Sequence, residues 1–281
     1  MILGYNTNGL AHHDPIQAVE LLAGIGYRCV ALTIDHGMLN PYGRYGDWDV
    51  RVDEMRACLR QHNMRSVIET GARFLLDPHQ KHEPTLMSPA AASRQRRVEF
   101  LCQAIDTAQS LESECVSLWS GILREEIDDG TAYDRLATGL RDVIAYADQA
   151  GVTLGFEPEP GMFIDRMSKF SRLIDQLEAP GRLRLTLDIG HLHCLKEPIE
   201  EAIHLWKSDL VNVHIEDMRA DRHEHLMFGE GEINFPPVIA ALRHVGYQGP
   251  LCVELSRHSH EGPTAARRAY DFLQPLCQSN G

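Results

Sequence analysis

Short apolar runs alternate along the chain with longer segments of helical periodicity. The apolar runs predict eight β-strands, near residues 2–5, 29–33, 66–69, 115–118, 153–157, 183–188, 210–214 and 250–254. The amphipathic segments predict helices near residues 15–25, 50–62, 89–110, 132–150, 167–177, 198–207, 236–245 and 263–276. Each predicted strand is therefore followed by a predicted helix, which is the pattern of parallel βα units.

The number of these units selects the fold. Eight βα units in 281 residues match the size of a TIM barrel. A doubly wound open sheet is the alternative, but it usually has fewer strands in this length, and no GxGxxG sequence follows the first strand. We therefore predict an α/β protein with one domain over residues 1–281, a single (β/α)8 TIM barrel.

The last four predicted strands each end at a residue that can bind a metal ion, and these residues are Glu157, Asp188, His214 and Glu254. In TIM barrels the C-terminal strand ends carry the chemistry. Each residue alone could be a helix cap or a hydrogen-bonded core residue. Together, three carboxylates on one rim repel one another unless a cation neutralises them or some are protonated. With one imidazole they suit Mn²⁺, Mg²⁺ or Co²⁺, and also Zn²⁺, so we predict one divalent metal ion.

The segments around these four residues resemble the xylose isomerase-like barrel superfamily. The resemblance rests on LGFEPEP at Glu157, LTLDIGH at Asp188, VNVHIED at His214, LCVELS at Glu254 and a GEG turn at residues 229–231. The superfamily contains sugar and ketose 3-epimerases, hydroxypyruvate isomerase, inositol-pathway isomerases and dehydratases, and the endonuclease IV class. The resemblance implies that these four residues are metal ligands and that His191 faces the substrate.

The resemblance and the residue chemistry together predict an enzyme of carbohydrate metabolism. We expect a metal-dependent isomerase or epimerase of a small sugar, sugar phosphate or related polyol or keto acid, working by proton transfer through a metal-stabilised enediolate. Glu157 and Glu254 are the expected catalytic residues, because one carboxylate can remove a proton from one face of a carbon and the other can return one to the opposite face.

Departures from the epimerase pattern keep other functions open. Sugar 3-epimerases have a second Glu several residues beyond the first ligand, where this chain has Phe163, with Glu159 nearer. They also have an Arg soon after the seventh-strand His, whereas Arg219 and Arg222 lie at other offsets. A lyase or dehydratase of a cyclic polyol could use the same site. A non-catalytic binding barrel is a further alternative, although none of the four ligands is lost.

An endonuclease IV-like DNA-repair enzyme is a weaker alternative. That class needs extra histidines, and the fourth strand ends without one, although His223 and His225 resemble its additional pair. The chain has 27 basic and 40 acidic residues, a net charge of −13, which repels nucleic acid.

Several further residues are candidates for substrate binding. Arg73 and Lys81, in the loop after the third strand, could clamp a phosphate or carboxylate, or could be solvated loop charges. Trp119 could form an apolar wall against a sugar ring, or pack in the core. Arg219 and His225, after the seventh strand, are the remaining candidates for substrate binding. The charges of Arg94, Arg96 and Arg97 indicate an exposed helix face.

The expected cellular location rests on three sequence signals that this chain lacks. No basic and apolar leader precedes the first strand, and no apolar run reaches the roughly 18 residues of a membrane span. The seven cysteines include no CxxC pair, which is typical of reduced thiols. We expect a cytoplasmic protein with a small sugar-like substrate and no membrane partner, and a homo-oligomer remains open.

Overall fold

The computed structural model describes residues 1–43, 47–178 and 180–278. Its strands are β1 (Ile2–Asn6), β2 (Cys29–Thr33), β3 (Arg65–Glu69), β4 (Val116–Leu118), β5 (Leu154–Phe156), β6 (Leu183–Asp188), β7 (Leu210–Ile215), β8 (Asp217–Arg219), β9 (Arg222–Leu226) and β10 (Pro250–Val253). Its α-helices are α1 (Pro15–Ile25), α2 (Trp48–Gln61), α3 (Ala91–Leu111), α4 (Asp129–Ala150), α5 (Met167–Leu177), α6 (Ile189–Cys194), α7 (Ile199–Leu205), α8 (Phe235–His244) and α9 (Gly262–Gln278).

The strands β1 to β7 and β10 form a closed parallel barrel in chain order. Closure is visible at Tyr5, which is in register with Val30 of β2 on one side and with Val253 of β10 on the other. The predicted (β/α)8 barrel is therefore confirmed, and the open doubly wound sheet is excluded. The extent of the domain, residues 1–281, stays a prediction, and positions 44–46, 179 and 279–281 lie outside the described residues.

Capping residues explain where the best-predicted helices begin and end. The side chain of Asp14 accepts hydrogen bonds from the backbone N–H groups of Ile16 and Gln17 at the start of α1, where Pro15 takes the first position. The helix α4 begins in the same way after Asp128 and ends at Gly151, whose φ of 74° is left-handed. These capping interactions fix the start of α1 and both ends of α4.

Two features near the barrel mouth were not predicted. A single turn, α6, starts directly after β6 with Asp188 as its N-cap, and it is too short to show a helical period. An antiparallel hairpin, β8 and β9, is inserted between β7 and α8. The polar sequence of β9, RHEHL, gives no apolar strand signal. Both features carry histidines toward the mouth.

The barrel wall separates two buried clusters. The larger one fills the space between strands and helices, as the amphipathic pattern requires. The smaller one consists of Cys29, Ala31, Val67, Cys115 and Cys252, contributed by or next to strands of the barrel. All seven cysteines are free thiols. Among the described residues, no helix is both long and apolar enough to cross a membrane.

Candidate metal and substrate site

The four predicted ligands meet at the C-terminal mouth of the barrel. Glu157 directly follows β5, Asp188 ends β6, His214 lies in β7 and Glu254 directly follows β10, and these four strands are neighbours. One ligand atom from each residue lies within 4.8 Å of the others. Barrel closure thus brings together four side chains that are far apart in sequence.

The contacts within this group centre on the ring of His214. Its Nδ1 lies 3.1 Å from Glu157 Oε1 and 3.1 Å from Glu254 Oε2. Asp188 contributes a buried oxygen, Oδ2, that has no hydrogen-bond partner in the part of the chain that the structure describes. A buried carboxylate oxygen without a donor is costly, so this oxygen calls for a cation. The mixed carboxylate and imidazole set fits a divalent ion.

The pKa values show how strongly these groups are coupled. Burial, reinforced by Glu254 and Asp188, raises the pKa of Glu157 to about 8. Burial opposes protonation of His214, but Glu157 and Glu69 outweigh it and hold its pKa well above the usual value. Burial also opposes the ionisation of Glu254, yet the hydrogen bond with His214 lowers the pKa of that carboxyl. A cation at this place therefore competes with protons held by Glu157 and His214.

Glu69, which the sequence did not single out, contacts His214 through the ring nitrogen opposite the other carboxylates. It ends β3, and its Oε1 lies 2.9 Å from His214 Nε2. The opposite nitrogen, Nδ1, is thereby directed to the carboxylates. A carboxylate that accepts from the second nitrogen fixes the tautomer and orientation of a ligating histidine. The signal was present in the sequence, because Glu69 ends a predicted strand just as the four ligands do.

A cavity of about 890 Å³ opens above these residues. Its lining contains five of the predicted substrate-binding residues, namely Arg73, Lys81, Trp119, His191 and His225. The lining also contains Glu159, Arg124, His223 and Arg257, which had not been assigned to substrate binding. The acids Glu69, Glu157, Glu159 and Glu254 belong to the same surface, so one cavity contains three of the four predicted metal ligands, Glu157, His214 and Glu254, together with several cationic side chains.

Three imidazoles form a second group beside the metal ligands. Ring nitrogens of His191, His223 and His225 lie within 4.8 Å of one another, and His191 Nε2 lies 3.0 Å from His223 Nε2. Burial lowers the pKa of His191 and lowers that of His223 to about 3. The rings of His191 and His223 are therefore neutral near pH 7, and neutral imidazole can both donate to and accept from hydroxyl groups.

The GEG turn holds the hairpin that carries two of these histidines. The carboxylate of Asp217, at the start of β8, accepts hydrogen bonds from the backbone N–H groups of Gly229, Gly231 and Ile233. A Cβ at Gly231 would lie 2.2 Å from Asp217 Oδ1, so only glycine fits there. The motif thus has a structural role, because it fixes the turn after β9 against β8.

Arg219 and Phe163, two positions at which the sequence departs from the epimerase pattern, do not line the cavity. Arg219 is not part of the cavity lining, because its Nη2 donates to the Glu230 carbonyl at 2.8 Å, and Nη1 lies 3.8 Å from Glu224 Oε2. We do not retain it as a substrate ligand. Phe163 packs edge-on against Tyr133, whereas Glu159 reaches the cavity. Burial, followed by the charge of Glu157, raises the pKa of Glu159 well above the usual value.

Comparison with known proteins places this chain among sugar-converting enzymes. A family profile described as a xylose isomerase-like TIM barrel matches residues 19–276. The L-ribulose-5-phosphate 3-epimerase UlaE of Salmonella paratyphi C is 27% identical over 221 residues, which cover 77% of this chain and 76% of that protein. The relative is a sugar epimerase, which confirms the expectation of an isomerase- or epimerase-type enzyme.

Two solved structures share the fold. The D-psicose 3-epimerase of Clostridium cellulolyticum H10, determined with D-tagatose, superposes with a TM-score of 0.78 at 18% identity over 99% of this chain and 100% of that one. The IOLI protein, determined with a zinc atom, superposes with a TM-score of 0.80 at 16% identity over 99% and 98% of the two chains. At such identities the likeness is one of fold.

Proposed function

This chain belongs to the xylose isomerase-like TIM barrel family, and we propose that it is a divalent-metal-dependent 3-epimerase of a ketose or ketose phosphate. The observation that carries the proposal is the pair Glu157 and Glu254. These carboxylates come from β5 and β10, which are separated by β6 and β7, and each lies 3.1 Å from His214 Nδ1. Two carboxylates that reach the same point from non-adjacent strands could serve the two faces of one carbon centre, as its inversion requires.

The residues that would hold the metal ion are Glu157, Asp188, His214 and Glu254, with Glu69 orienting the histidine. A divalent ion held there would polarise the carbonyl of a bound ketose and make the neighbouring C–H group more acidic. Mn²⁺, Mg²⁺, Co²⁺ and Zn²⁺ all accept this ligand set. The unpartnered Asp188 oxygen is the strongest support for a cation at this place.

The protein supplies the proton transfers. In one direction Glu254 or Glu157 takes the proton from the carbon next to the carbonyl, and the other glutamate returns a proton to the opposite face. His191 lines the cavity beside two of the proposed ligands, since its Nδ1 is 3.5 Å from Glu157 Oε1 and its Nε2 is 3.7 Å from Asp188 Oδ2, and we propose that it binds substrate hydroxyls. Glu159, whose pKa is raised by burial, also lines the cavity and is a further candidate to contact the substrate.

The charges around the cavity favour a substrate with an anionic end. The chain as a whole carries a net charge of −13, yet Arg73, Lys81, Arg124 and Arg257 all line this cavity. Arg124 is engaged by Glu83 at 2.7 Å, and Arg73 Nη1 lies 3.7 Å from Asp35 Oδ2. Lys81 is thus better placed than Arg73 to meet an added phosphate. We propose L-ribulose 5-phosphate as the first substrate to assay, because a relative is named for it.

The test compares metal-stripped and metal-restored protein. We expect chelator-treated protein to lose activity on L-ribulose 5-phosphate and to regain it with Mn²⁺, and L-ribulose, D-psicose and D-tagatose serve as unphosphorylated comparisons. Purified protein should contain close to one divalent ion per chain, and its removal should lower the Tm, since a ligand bound only by the folded state stabilises it. Full activity after stripping would contradict the proposal. Formation of a dehydrated product from a cyclic polyol would replace it with a dehydratase.

A further inference from the structure

Arg97 in α3 lies in the interior, although the charge run around it predicted an exposed helix face. Only 1% of its surface is exposed, and it is among the largest fully buried side chains of the described residues. Its neighbour Arg96 is exposed. The helical period accounts for the difference, because Arg97 lies on the same face of α3 as the buried residues Leu101 and Ala104.

The guanidinium of Arg97 is held by a carbonyl and by two aromatic rings. Nη2 donates a hydrogen bond to the Thr70 carbonyl at 2.8 Å. Cζ lies 4.8 Å from the ring centroid of Trp119 and 5.1 Å from that of Phe100. These contacts join the first residue after β3 to the first residue after β4. A planar cation can donate to a carbonyl and stack on an indole at the same time, which an ammonium cannot do equally well.

This cation is unusual because no carboxylate pairs with it directly. Among the described residues, no Asp or Glu oxygen forms an ion pair with its nitrogens, and Nη1 has no hydrogen-bond partner. Burial lowers the pKa of Arg97 to about 10 although the charge of Glu83, which is paired with Arg124, acts in the opposite direction, so the group remains charged near pH 7. Burying a charge without a direct partner is unfavourable, and residues that break such a rule are expected at functional sites. If packing were the only role of position 97, an apolar side chain of similar length would fill the space at least as well as arginine.

The contacts of Arg97 form a closed ring with the loop after β3. The Trp119 ring packs edge-on against His82, with centroids 5.3 Å apart. The Nδ1 of His82 lies 2.5 Å from the carbonyl oxygen of Gly71, which is the residue next to Thr70. The ring therefore runs from Arg97 to Thr70, along the chain to Gly71, through His82 to Trp119, and back to Arg97.

That ring closes the segment of residues 70–82, which we call the β3 loop. The backbone N–H of His82 donates to the Arg73 carbonyl at 2.6 Å, so the loop is folded back on itself. Ala72 and Arg73 have φ values of 55° and 26°, which side chains other than glycine rarely adopt. Such a backbone persists only where its surroundings hold it. The loop presents Arg73, Lys81 and His82 to the cavity.

We propose that Arg97 is a positioning residue for substrate binding, which fixes Trp119 and the β3 loop so that they form one wall of the cavity. Arg97 itself does not line the cavity, whereas Trp119, His82, Arg73 and Lys81 do. It therefore acts through these residues. The proposed metal ligands lie on or directly after β5, β6, β7 and β10, whereas Thr70 and Trp119 directly follow β3 and β4. Glu69, which contacts His214, directly precedes Thr70, so bound metal is measured together with KM in the Arg97 variants.

The first test needs no substrate. Arg97→Met and Arg97→Lys are compared with Arg96→Met, which changes an exposed arginine one position away. In Arg97→Met we expect amide hydrogen exchange in residues 70–82 to become about tenfold faster, with the rest of the barrel unchanged, because a local unit has lost its anchor. Arg97→Lys should fall between Arg97→Met and wild type. Uniformly faster exchange across the barrel, or unchanged exchange in the β3 loop, would overturn the proposal.

Fluorescence gives a second readout on the same variants. With Trp48 and Trp206 replaced by Phe, acrylamide quenching reports on Trp119 alone, which is 8% exposed in the intact wall. We expect quenching to increase in Arg97→Met and to stay unchanged in Arg96→Met. Unchanged quenching of Trp119 in both Arg97 variants would show that the guanidinium does not hold the indole.

Kinetics with Mn²⁺-loaded protein and L-ribulose 5-phosphate complete the test. Arg97→Met should raise KM about tenfold with kcat and bound metal nearly unchanged, because the wall binds substrate and does not react with it. In a Trp119→Leu background, Arg97→Met should raise KM by less than it does alone, since the two residues act through one contact. Fully independent effects, or a fall in kcat with loss of metal, would contradict the proposal. If wild type does not convert this sugar, the proposed function fails, while exchange and quenching still decide the role of Arg97.

Discussion

The two sides of the cavity are built on different principles. On one side, Glu157, Asp188, His214 and Glu254 stand on or directly after barrel strands, so the backbone that carries them is fixed by neighbouring strands. On the other side, Arg73, Lys81 and His82 lie in the β3 loop, which the contact ring of Arg97 joins to Trp119. We therefore expect the proton transfers to depend on the strand side and substrate recognition to depend mainly on the loop side.

The largest expected effect is on the strand side. Replacing Glu157 or Glu254 by Gln keeps an oxygen for the metal ion but removes the proton acceptor, so turnover should fall by about 10²–10⁴ while much of the metal stays bound. Asp188→Ala should instead lose metal and activity together, because alanine offers no oxygen to the metal ion. Steady-state kinetics and elemental analysis of the same samples measure this. Near-normal turnover in both Gln variants would remove the two-carboxylate mechanism.

A smaller effect is expected at Glu69. It tests whether a strand residue that contacts His214, without being a proposed ligand itself, affects metal binding. Glu69→Gln should lower metal affinity by about 10–100-fold, as is usual for the partner of a ligating histidine. The cause is the loss of the charge that orients His214 through Nε2. Competition with a fluorescent chelator gives the affinity. Glu114→Gln, which changes a partly exposed carboxylate that pairs with Arg65, serves as the matched control and should bind metal normally.

On the loop side, Lys81→Ala should weaken substrate binding and leave kcat unchanged. Loss of a charge-assisted hydrogen bond costs about 1.5–3 kcal/mol, so KM for a phosphorylated ketose should rise while KM for the unphosphorylated sugar stays the same. Arg73→Ala should have the weaker effect of the two, because Asp35 already engages its guanidinium. Equal effects on both sugars would show that neither cation recognises the phosphate.

The smallest effect is a pH dependence of stability in chelator-stripped protein. Burial raises the pKa of Glu157 from 4.5 to about 8, so its contribution to stability is present below pH 4.5 and is lost as pH rises toward 8. The raised pKa of His214 acts in the same direction. The lowered pKa values of His82 and His223 act in the opposite direction, because these imidazoles take up protons on unfolding below pH 6.5. The measurement is therefore the Tm of wild type minus the Tm of Glu157→Gln, which should fall by a few degrees between pH 5 and 8. A difference that stays constant or rises over this range would contradict the assignment.

The strand side could be predicted because position along a strand follows from the hydrophobic pattern. Once residues 153–157 and 183–188 are assigned as strands, Glu157 and Asp188 fall at their ends, and closure of the barrel brings them together. Glu69 was equally accessible by this reasoning. The sequence also named Arg73, Lys81 and Trp119 as candidates, but it could not show which of them already has a partner.

The loop side depends on contacts between segments, which a pattern along one segment does not contain. Arg97 was assigned to the surface from its charged neighbours, although the period of α3 places it on the buried face. Arg219 was assigned to the cavity from its distance to His214 along the chain, but the hairpin of β8 and β9 turns it toward Glu230. The segment that follows the hairpin is fixed against β8 by hydrogen bonds from the GEG motif to Asp217.

The central claim is that two carboxylates at a metal site move a proton across one carbon. The most direct measurement is the reaction of Mn²⁺-loaded protein with L-ribulose 5-phosphate in deuterated water, with the product analysed by mass spectrometry and NMR. The account predicts that the epimerised sugar carries solvent deuterium at the inverted carbon, and that chelator-stripped protein forms no such product. Epimerised product without deuterium at that carbon, or the same deuterated product from stripped protein, would contradict it.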